Sequence, residues 1–316
     1  MVSTVFIDGE VGTTGLQIHA RLKDRSDIKL LHLSESERKD SARRREALND
    51  ADLSILCLPD PAAREAVALV DNPNARLIDA STAHRVADDW IFGFSEHSEK
   101  QRAAIAAARR VSNPGCYAVT SIAMLHPLVS SGILAADTPI TINAVSGYSG
   151  GGKGMIASYE DSTAANYTTA PFNVYGLTLE HKHVPEIQRY SGLTKRPLFV
   201  PSVGRYRQGM IVQVPLQLWA LANRPTPSDI HRTLTAHYAG CRFVSVVPLA
   251  ESAKMTGLEP EGLNDTNLLR LHVFGNEGCE QAVVMGLIDN LGKGASGMAV
   301  QNMNIMLGLP EDTGLV

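Results

Sequence analysis

The sequence predicts an α/β protein whose first third is a parallel, doubly wound sheet. Two observations carry that expectation. Short apolar runs alternate with segments of helical spacing from the N-terminus onward, and alternation of this kind builds parallel strands joined by crossover helices. Three glycines spaced by three then fall between the first run and the first helical segment, where such a sheet makes its tightest turn. With 316 residues, 44% hydrophobic and 5% aromatic, the chain can bury a full core and is long enough for two domains.

The strand-like runs are residues 5–8, 28–33, 53–58 and 77–79, and helical spacing is seen over 16–22 and 62–70. Cys57, inside the third run, is expected in the core. Between the first run and first helix lies Asp8-Gly9-Glu10-Val11-Gly12-Thr13-Thr14-Gly15. Glycines at positions 9, 12 and 15 let the backbone turn sharply and approach a pyrophosphate, whose charge would rest on N–H groups at the start of the following helix. The spacing is G-x-x-G-x-x-G rather than G-x-G-x-x-G, and the strand before and helix after supply its context. A dinucleotide cofactor is therefore expected.

After the second run come Ser34-Glu35-Ser36-Glu37-Arg38-Lys39 and then Arg43-Arg44-Arg45. Ser34 with Arg38 and Lys39 suits a ribose 2′-phosphate and favours NADP, while Glu35 keeps NAD open. Arg43 to Arg45 read as a solvated helix face.

Asn113-Pro114-Gly115-Cys116-Tyr117 places a cysteine directly after a Pro-Gly turn, at the start of an apolar segment that reads as a helix. Partial positive charge at a helix N-terminus favours thiolate over thiol, so Cys116 is a candidate nucleophile. The middle third no longer alternates simply. A strand-like run over 140–145 leads into Ser146-Gly147-Tyr148-Ser149-Gly150-Gly151-Gly152-Lys153-Gly154. No Ser or Thr follows the lysine, so this is not a nucleoside-triphosphate loop; its backbone is expected to be flexible enough to close over a substrate. In His181-Lys182-His183-Val184-Pro185, the proline biases Val184 away from helix, so the His-x-His is expected to be extended with both rings on one face. No third ligand is spaced to complete a zinc set, and an acid–base histidine is the better reading.

Lys plus Arg 29 against Asp plus Glu 33 gives a net charge of −4 without a basic stripe, which argues against a nucleic-acid partner. No cationic and apolar leader is legible at the start and no window reaches membrane-spanning length. Cys57, Cys116, Cys241 and Cys279 form no C-x-x-C pair, which argues against a metal or disulfide framework and for a reducing cytoplasm.

Taken together, residues 112–117, the Gly9/Gly12/Gly15 loop, residues 181–186 and the tail 289–297 with Gln301-Asn302 resemble the N-acetyl-gamma-glutamyl-phosphate reductase family in its shorter form, within the semialdehyde dehydrogenases. The resemblance spans nearly the whole chain. It implies a Rossmann-like NADP-binding domain of residues 1–115 plus 290–316, and a mixed α+β catalytic and oligomerisation domain of residues 116–289, with Cys116 at the junction. It implies a catalytic Cys116, an acid–base His181, substrate anions near Arg85, the nicotinamide near Asn302, and a mobile loop matching Ser146 to Lys153, with Ser146 and Gly147 as its substrate-binding residues. The family usually carries threonine where Val119 stands, and here threonine follows at Thr120, so no role passes to it.

The implied activity is NADPH-dependent reduction of N-acetyl-glutamyl 5-phosphate to the semialdehyde through a cysteine thioester, by a cytoplasmic homo-oligomer, dimer or tetramer. Aspartate-semialdehyde dehydrogenase, a lysine-pathway acyl-phosphate reductase and a non-catalytic dinucleotide sensor are the rival expectations.

Overall fold

Strand β1 (Ser3–Asp8) has its last four residues buried and lies inside a six-stranded sheet of order β2-β1-β3-β4-β6-β5. These are β2 (Ile28–Leu31), β3 (Leu53–Leu56), β4 (Arg76–Asp79), β5 (Ile91–Phe92) and β6 (Arg110–Ser112), and every pairing is parallel. The crossovers carry α1 (Thr13–Leu22), α2 (Ser41–Asp50), α3 (Asp60–Ala68) and α4 (Gln101–Ala107). The order reverses at β1, between β2 and β3, so the loop that leaves the carboxyl end of β1 sits at the topological switch point, where open α/β sheets bind ligands. Phe6, Leu48, Leu56 and Ala66 pack together from β1, α2, β3 and α3, and burying each Leu or Phe side chain contributes roughly 1.5–3 kcal/mol. The structure, a computed structural model, describes residues 2–316.

The second unit comprises Cys116–Gly294, and Ala295–Val316 belongs with the first. It opens with α5 (Cys116–Ser130), a helix buried on nearly every side, as its almost uniformly apolar sequence requires. A mixed seven-stranded sheet follows, in the order β11-β12-β13-β10-β7-β9-β8. Its strands and helices run β7 (Thr141–Gly147), α6 (Gly152–Glu160), β8 (Phe172–Val174), α7 (Val184–Ser191), β9 (Leu198–Gly204), β10 (Met210–Gln217), α8 (Pro227–His237), β11 (Val244–Val246), α9 (Leu249–Ser252), β12 (Leu269–Asn276) and β13 (Gln281–Ile288). A π-helical turn, Gly292–Ser296, then precedes α10 (Gly297–Met306). Helix α5 lies on β10 and β13. Its approach is so close that a Cβ at Gly286 would overlap the Thr120 methyl group. Thr120 itself donates to the Cys116 carbonyl oxygen at 2.9 Å, a bond within the helix that gives it a local structural job.

Three expectations about these elements need correction. Val184 is the first residue of α7 although Pro185 follows it, because proline is accepted in a first helical turn whose N–H groups have no partner anyway. His181 to His183 is accordingly a turn, closed by Val184 N–H to His181 O at 3.0 Å, and not an extended segment. Ser146 to Gly154 is likewise no open loop: it is the end of β7, a 3-10 turn over Tyr148–Gly151, and the start of α6.

Candidate active site

Cys116 is the first residue of α5 and is half-buried. It lines a cavity of about 160 Å³ together with Ser146, Gly147, Gly150 and Gly151 of the glycine-rich segment, and with Tyr175, His181 and His183. The cavity therefore gathers the cysteine, both histidines and the glycine wall that the sequence singled out separately. A helix start is where a thiolate is favoured.

His181 sits in a box of rings. Tyr117, Tyr175, His183 and Phe199 have their centroids 5.9, 5.9, 4.8 and 5.1 Å from it. Its Nδ1 accepts the His183 backbone N–H at 3.2 Å. In the neutral ring that bond fixes the proton on Nε2. His183 is buried. The two rings meet because the chain turns between them, whereas the sequence had attributed the shared face to extended backbone.

Tyr175 and Tyr117 were not singled out as site residues, and no spacing marks Tyr175. Tyr175 Oη donates to Tyr117 Oη at 3.3 Å, and Tyr117 Oη donates to the Ser202 carbonyl at 3.1 Å. Burial is the main cause that pushes Tyr175 up to about 12 and Tyr117 well above the ordinary phenol value. Both stay protonated.

In the first unit the Gly9/Gly12/Gly15 turn is built for close backbone approach. Gly9 has φ +91°, a conformation that favours glycine, and a Cβ there would overlap the Cys57 carbonyl oxygen. A Cβ at Gly15 would overlap the Gly9 carbonyl oxygen and lie 2.7 Å from Glu10 Cα. Gly12 is the N-cap of α1 and Thr13 and Thr14 open it; no side chain caps this end. First-turn N–H groups are thereby left for an anion, and the turn fits the pyrophosphate of a dinucleotide.

Beside the turn, Asp8, Glu35, Arg38, Lys39 and Arg44 line a second cavity. Ser34 is not among its lining residues: its N–H donates to Glu37 Oε2 at 2.9 Å, and the Ser34 hydroxyl, followed by that N–H, holds the Glu37 carboxyl down at about 2. Arg38 lies 3.6 Å from Glu10. Arg43 and Arg45 are solvated, as expected, and pair with Glu37 and Asp71. Arg44 is not. Its Nη2 donates to Asp8 Oδ2 at 2.8 Å and both side chains are buried. Burial pushes the Asp8 carboxyl up and the Arg44 guanidinium pulls it back only in part. Cys57 lies one residue past β3, half-buried, with its thiol pushed up to about 12 mainly by burial.

Arg85 lies in the turn after β4, buried, with Nη2 3.4 Å from the Ala80 carbonyl. Asp79 organises that turn: it accepts from Ser81 Oγ at 2.8 Å and pairs with His84 Nδ1 at 2.6 Å. Asn302, fully buried in α10, donates to Gly93 O at 2.8 Å and to Asn113 Oδ1 at 3.1 Å. Its own Oδ1 is buried without a hydrogen-bond partner.

Residues 116–290 match the family described as semialdehyde dehydrogenase, dimerisation domain. N-acetyl-gamma-glutamyl-phosphate reductase of Burkholderia cenocepacia is 54% identical over 96% of this chain and 97% of its own. The protein of that name numbered 2 in Nostoc sp. is 50% identical over 98% of each chain. Among solved structures, aspartate semialdehyde dehydrogenase II of Vibrio cholerae superposes with a TM-score of 0.71 at 12% identity, covering 98% of this chain and 99% of that one. The aspartate semialdehyde dehydrogenase of Candida albicans, solved with NADP, gives a TM-score of 0.65 at 13% identity over 97% and 99%. At such identities these two share the fold alone. The near-full-length identity to the curated relatives, together with the cysteine, histidines and glycine wall gathered in one cavity, means that this chain belongs to the N-acetyl-gamma-glutamyl-phosphate reductase family.

Proposed function

We propose that the chain catalyses the NADPH-dependent conversion of N-acetyl-L-glutamyl 5-phosphate to N-acetyl-L-glutamate 5-semialdehyde and phosphate. The observation that carries this reading is Cys116 at the first residue of α5, in one cavity with His181 and the wall formed by Ser146, Gly147, Gly150 and Gly151. Cys116 thiolate attacks the acyl carbonyl carbon, the carbon–oxygen bond to phosphate breaks, and a thioester remains. The departing phosphate takes up the one proton that the overall reaction consumes. NADPH, when bound, supplies the hydride that reduces the thioester. The thiohemiacetal oxyanion on Cys116 then collapses, releasing the aldehyde and restoring the thiolate. His181, with its proton on Nε2, serves as the acid–base group at the oxyanion and the departing phosphate, and N–H groups at the start of α5 stabilise the oxyanion.

Gly9, Gly12, Thr13, Thr14 and Gly15 would hold the pyrophosphate. Arg38 and Lys39 would face a 2′-phosphate, with Ser34 acting by shaping their turn, and Asn302 would meet the nicotinamide. Arg85 offers a planar fork to a substrate anion. In this reading residues 1–115 with the C-terminal segment form the cofactor domain and residues 116–289 the catalytic and oligomerisation domain. A cytoplasmic homo-oligomer fits the dimerisation-domain match and the free cysteines.

Phosphate-dependent reduction of NADP by the purified chain tests the proposal, run in the reverse direction with a panel of semialdehydes. The highest kcat/KM is expected with N-acetyl-glutamate semialdehyde. Preference for aspartate semialdehyde or the N-acetyl-aminoadipate homologue would move the assignment to a sister reductase, and no turnover with any would leave a dinucleotide sensor.

A further inference from the structure

Immediately after β13 the chain makes two contacts with different parts of the thiol cavity. Asn290, 2% exposed, accepts the Gly209 N–H on Oδ1 at 2.7 Å and donates from Nδ2 to Ser149 Oγ at 3.2 Å. Ser149 is itself buried, in the turn whose Gly150 and Gly151 line the cavity. There is no slack at this contact: a Cβ at Gly150 would stand 3.2 Å from Asn290 Nδ2 and 3.3 Å from Ser146 Oγ. The same turn is zipped along its other side by Gly147 N–H to Gly209 O at 2.9 Å and Ser149 N–H to Arg207 O at 3.0 Å.

A few residues further on, the π-helical turn brings Gly294 against Cys116. A Cβ at Gly294 would lie 2.8 Å from the Cys116 Cβ, and the Gly294 N–H is bound to Asp289 O at 2.9 Å. Such turns recur at functional sites because the extra residue re-aims the backbone. The frame between the two contacts is fixed by Asp289, whose carboxylate accepts from Leu291 N–H at 2.8 Å, Asp265 N–H at 2.9 Å and Gln208 Nε2 at 2.7 Å.

We propose that Asn290 is a positioning residue that sets the distance between the glycine wall and the Cys116 sulfur, so that an acyl phosphate held by the wall presents its carbonyl carbon to the thiolate. The proposal rests on the reading of Cys116 as nucleophile given above. The chemistry explains the side chain. Gly209 offers a donor and Ser149 a hydroxyl that takes one, and a carboxamide serves both at once. The neighbouring Asp289 meets only donors and is a carboxylate.

Two substitutions separate the halves of the contact. Asn290→Ala removes both hydrogen bonds, and Ser149→Ala removes only the one made by the hydroxyl. Loss of one well-placed hydrogen bond is worth roughly tenfold, so each is expected to lower kcat/KM for the acyl phosphate by about that factor or more. The double variant should be no worse than the poorer single one, the sign that both act through one contact. The rate of Cys116 alkylation by neutral iodoacetamide should stay within about twofold of the parent, since the thiol is untouched, and thermal unfolding should remain a single cooperative transition. Ser149→Ala with parental kcat/KM overturns the inference, as does a parallel fall in alkylation, which would mark a general loss of structure. A parent enzyme inactive on the acyl phosphate would instead overturn the functional reading on which the inference rests.

Discussion

Gly15 and Gly12 belong to the same glycine repeat, yet the structure assigns them unequal burdens. A methyl group added at Gly15 would overlap the Gly9 carbonyl oxygen and sit 2.7 and 2.9 Å from Glu10 Cα and carbonyl carbon. All three are backbone atoms, so no side chain can swing away. Ordinary carbon contacts lie near 3.5–4.0 Å, and the turn must retreat by about half an ångström or more. A methyl group at Gly12 meets only Gly9 O at 3.3 Å and Cys57 O at 3.7 Å, which a small adjustment absorbs. If the turn cradles a pyrophosphate, Gly15→Ala pulls two or so N–H groups out of reach of a charged acceptor at roughly 1.5–3 kcal/mol each. That corresponds to a Kd for NADPH raised on the order of 10²–10⁴, against a few-fold for Gly12→Ala. Fluorescence titration of NADPH measures both, with thermal unfolding showing that each variant is folded. Gly12→Ala weakening NADPH as much as Gly15→Ala, in folded proteins, would refute the cradle.

Cys116→Ser should abolish turnover while NADPH binding stays within a few-fold of the parent. Iodoacetamide should label Cys116 well before Cys57, whose thiol is held up at about 12, and peptide mapping that finds Cys57 first would contradict the assignment of the thiolate. His181→Asn should lower kcat by on the order of 10²–10⁴, with a smaller loss for His183→Asn; steady-state kinetics giving the reverse order would transfer the acid–base role to His183. Replacing Arg38 and Lys39 together by alanine should raise KM for NADPH far more than for NADH, and an equal rise would make them a solvated face. His272, buried on β12 and pushed down to about 4 mainly by burial, stays neutral while the unfolded chain takes up a proton near 6.5, so its contribution to stability is full above that pH and falls away toward pH 4. His272→Phe should therefore be less acid-sensitive by about 3 kcal/mol between pH 7 and 4 in urea unfolding, and an unchanged pH slope would show that the ring takes up its proton in the fold as readily as in the unfolded chain.

The parts of this site that were legible in the sequence are those whose geometry is local. The glycine turn could be read because spacing within one turn decides what the backbone can approach, and Cys116 because a Pro-Gly turn and an apolar helix start are neighbours in the chain. His181 and His183 were brought together for the wrong reason: proline's bias on the preceding residue is real, but here Pro185 falls in the first turn of α7, where that bias is overruled. Arg44 was misread because its partner, Asp8, is 36 residues away on β1, and three consecutive arginines carry no sign of which one faces the sheet. The tie from Asn290 to Ser149 spans 141 residues and depends on where β13 ends relative to β7. Tyr175 has no motif at all and enters the cavity only because β8 is paired on the edge of the second sheet.

The tyrosines bear on how the activity should respond to pH. Tyr175 gives its proton to Tyr117, and Tyr117 gives its own to the Ser202 carbonyl, so the pair is a directed chain ending on the backbone. Toward a ligand, Tyr175 therefore presents oxygen lone pairs, a hydrogen-bond acceptor suited to a substrate N–H and unsuited to an oxyanion. Deprotonating either hydroxyl would place a phenolate beside Cys116, whose own negative charge as a thiolate raises both tyrosines further. The two groups thus stay neutral until far above neutrality, and they cannot supply a limb in a rate profile taken between pH 5 and 9. A limb seen in that window therefore comes from other groups, and removing the Tyr175 hydroxyl should shift substrate KM while leaving that limb where it was.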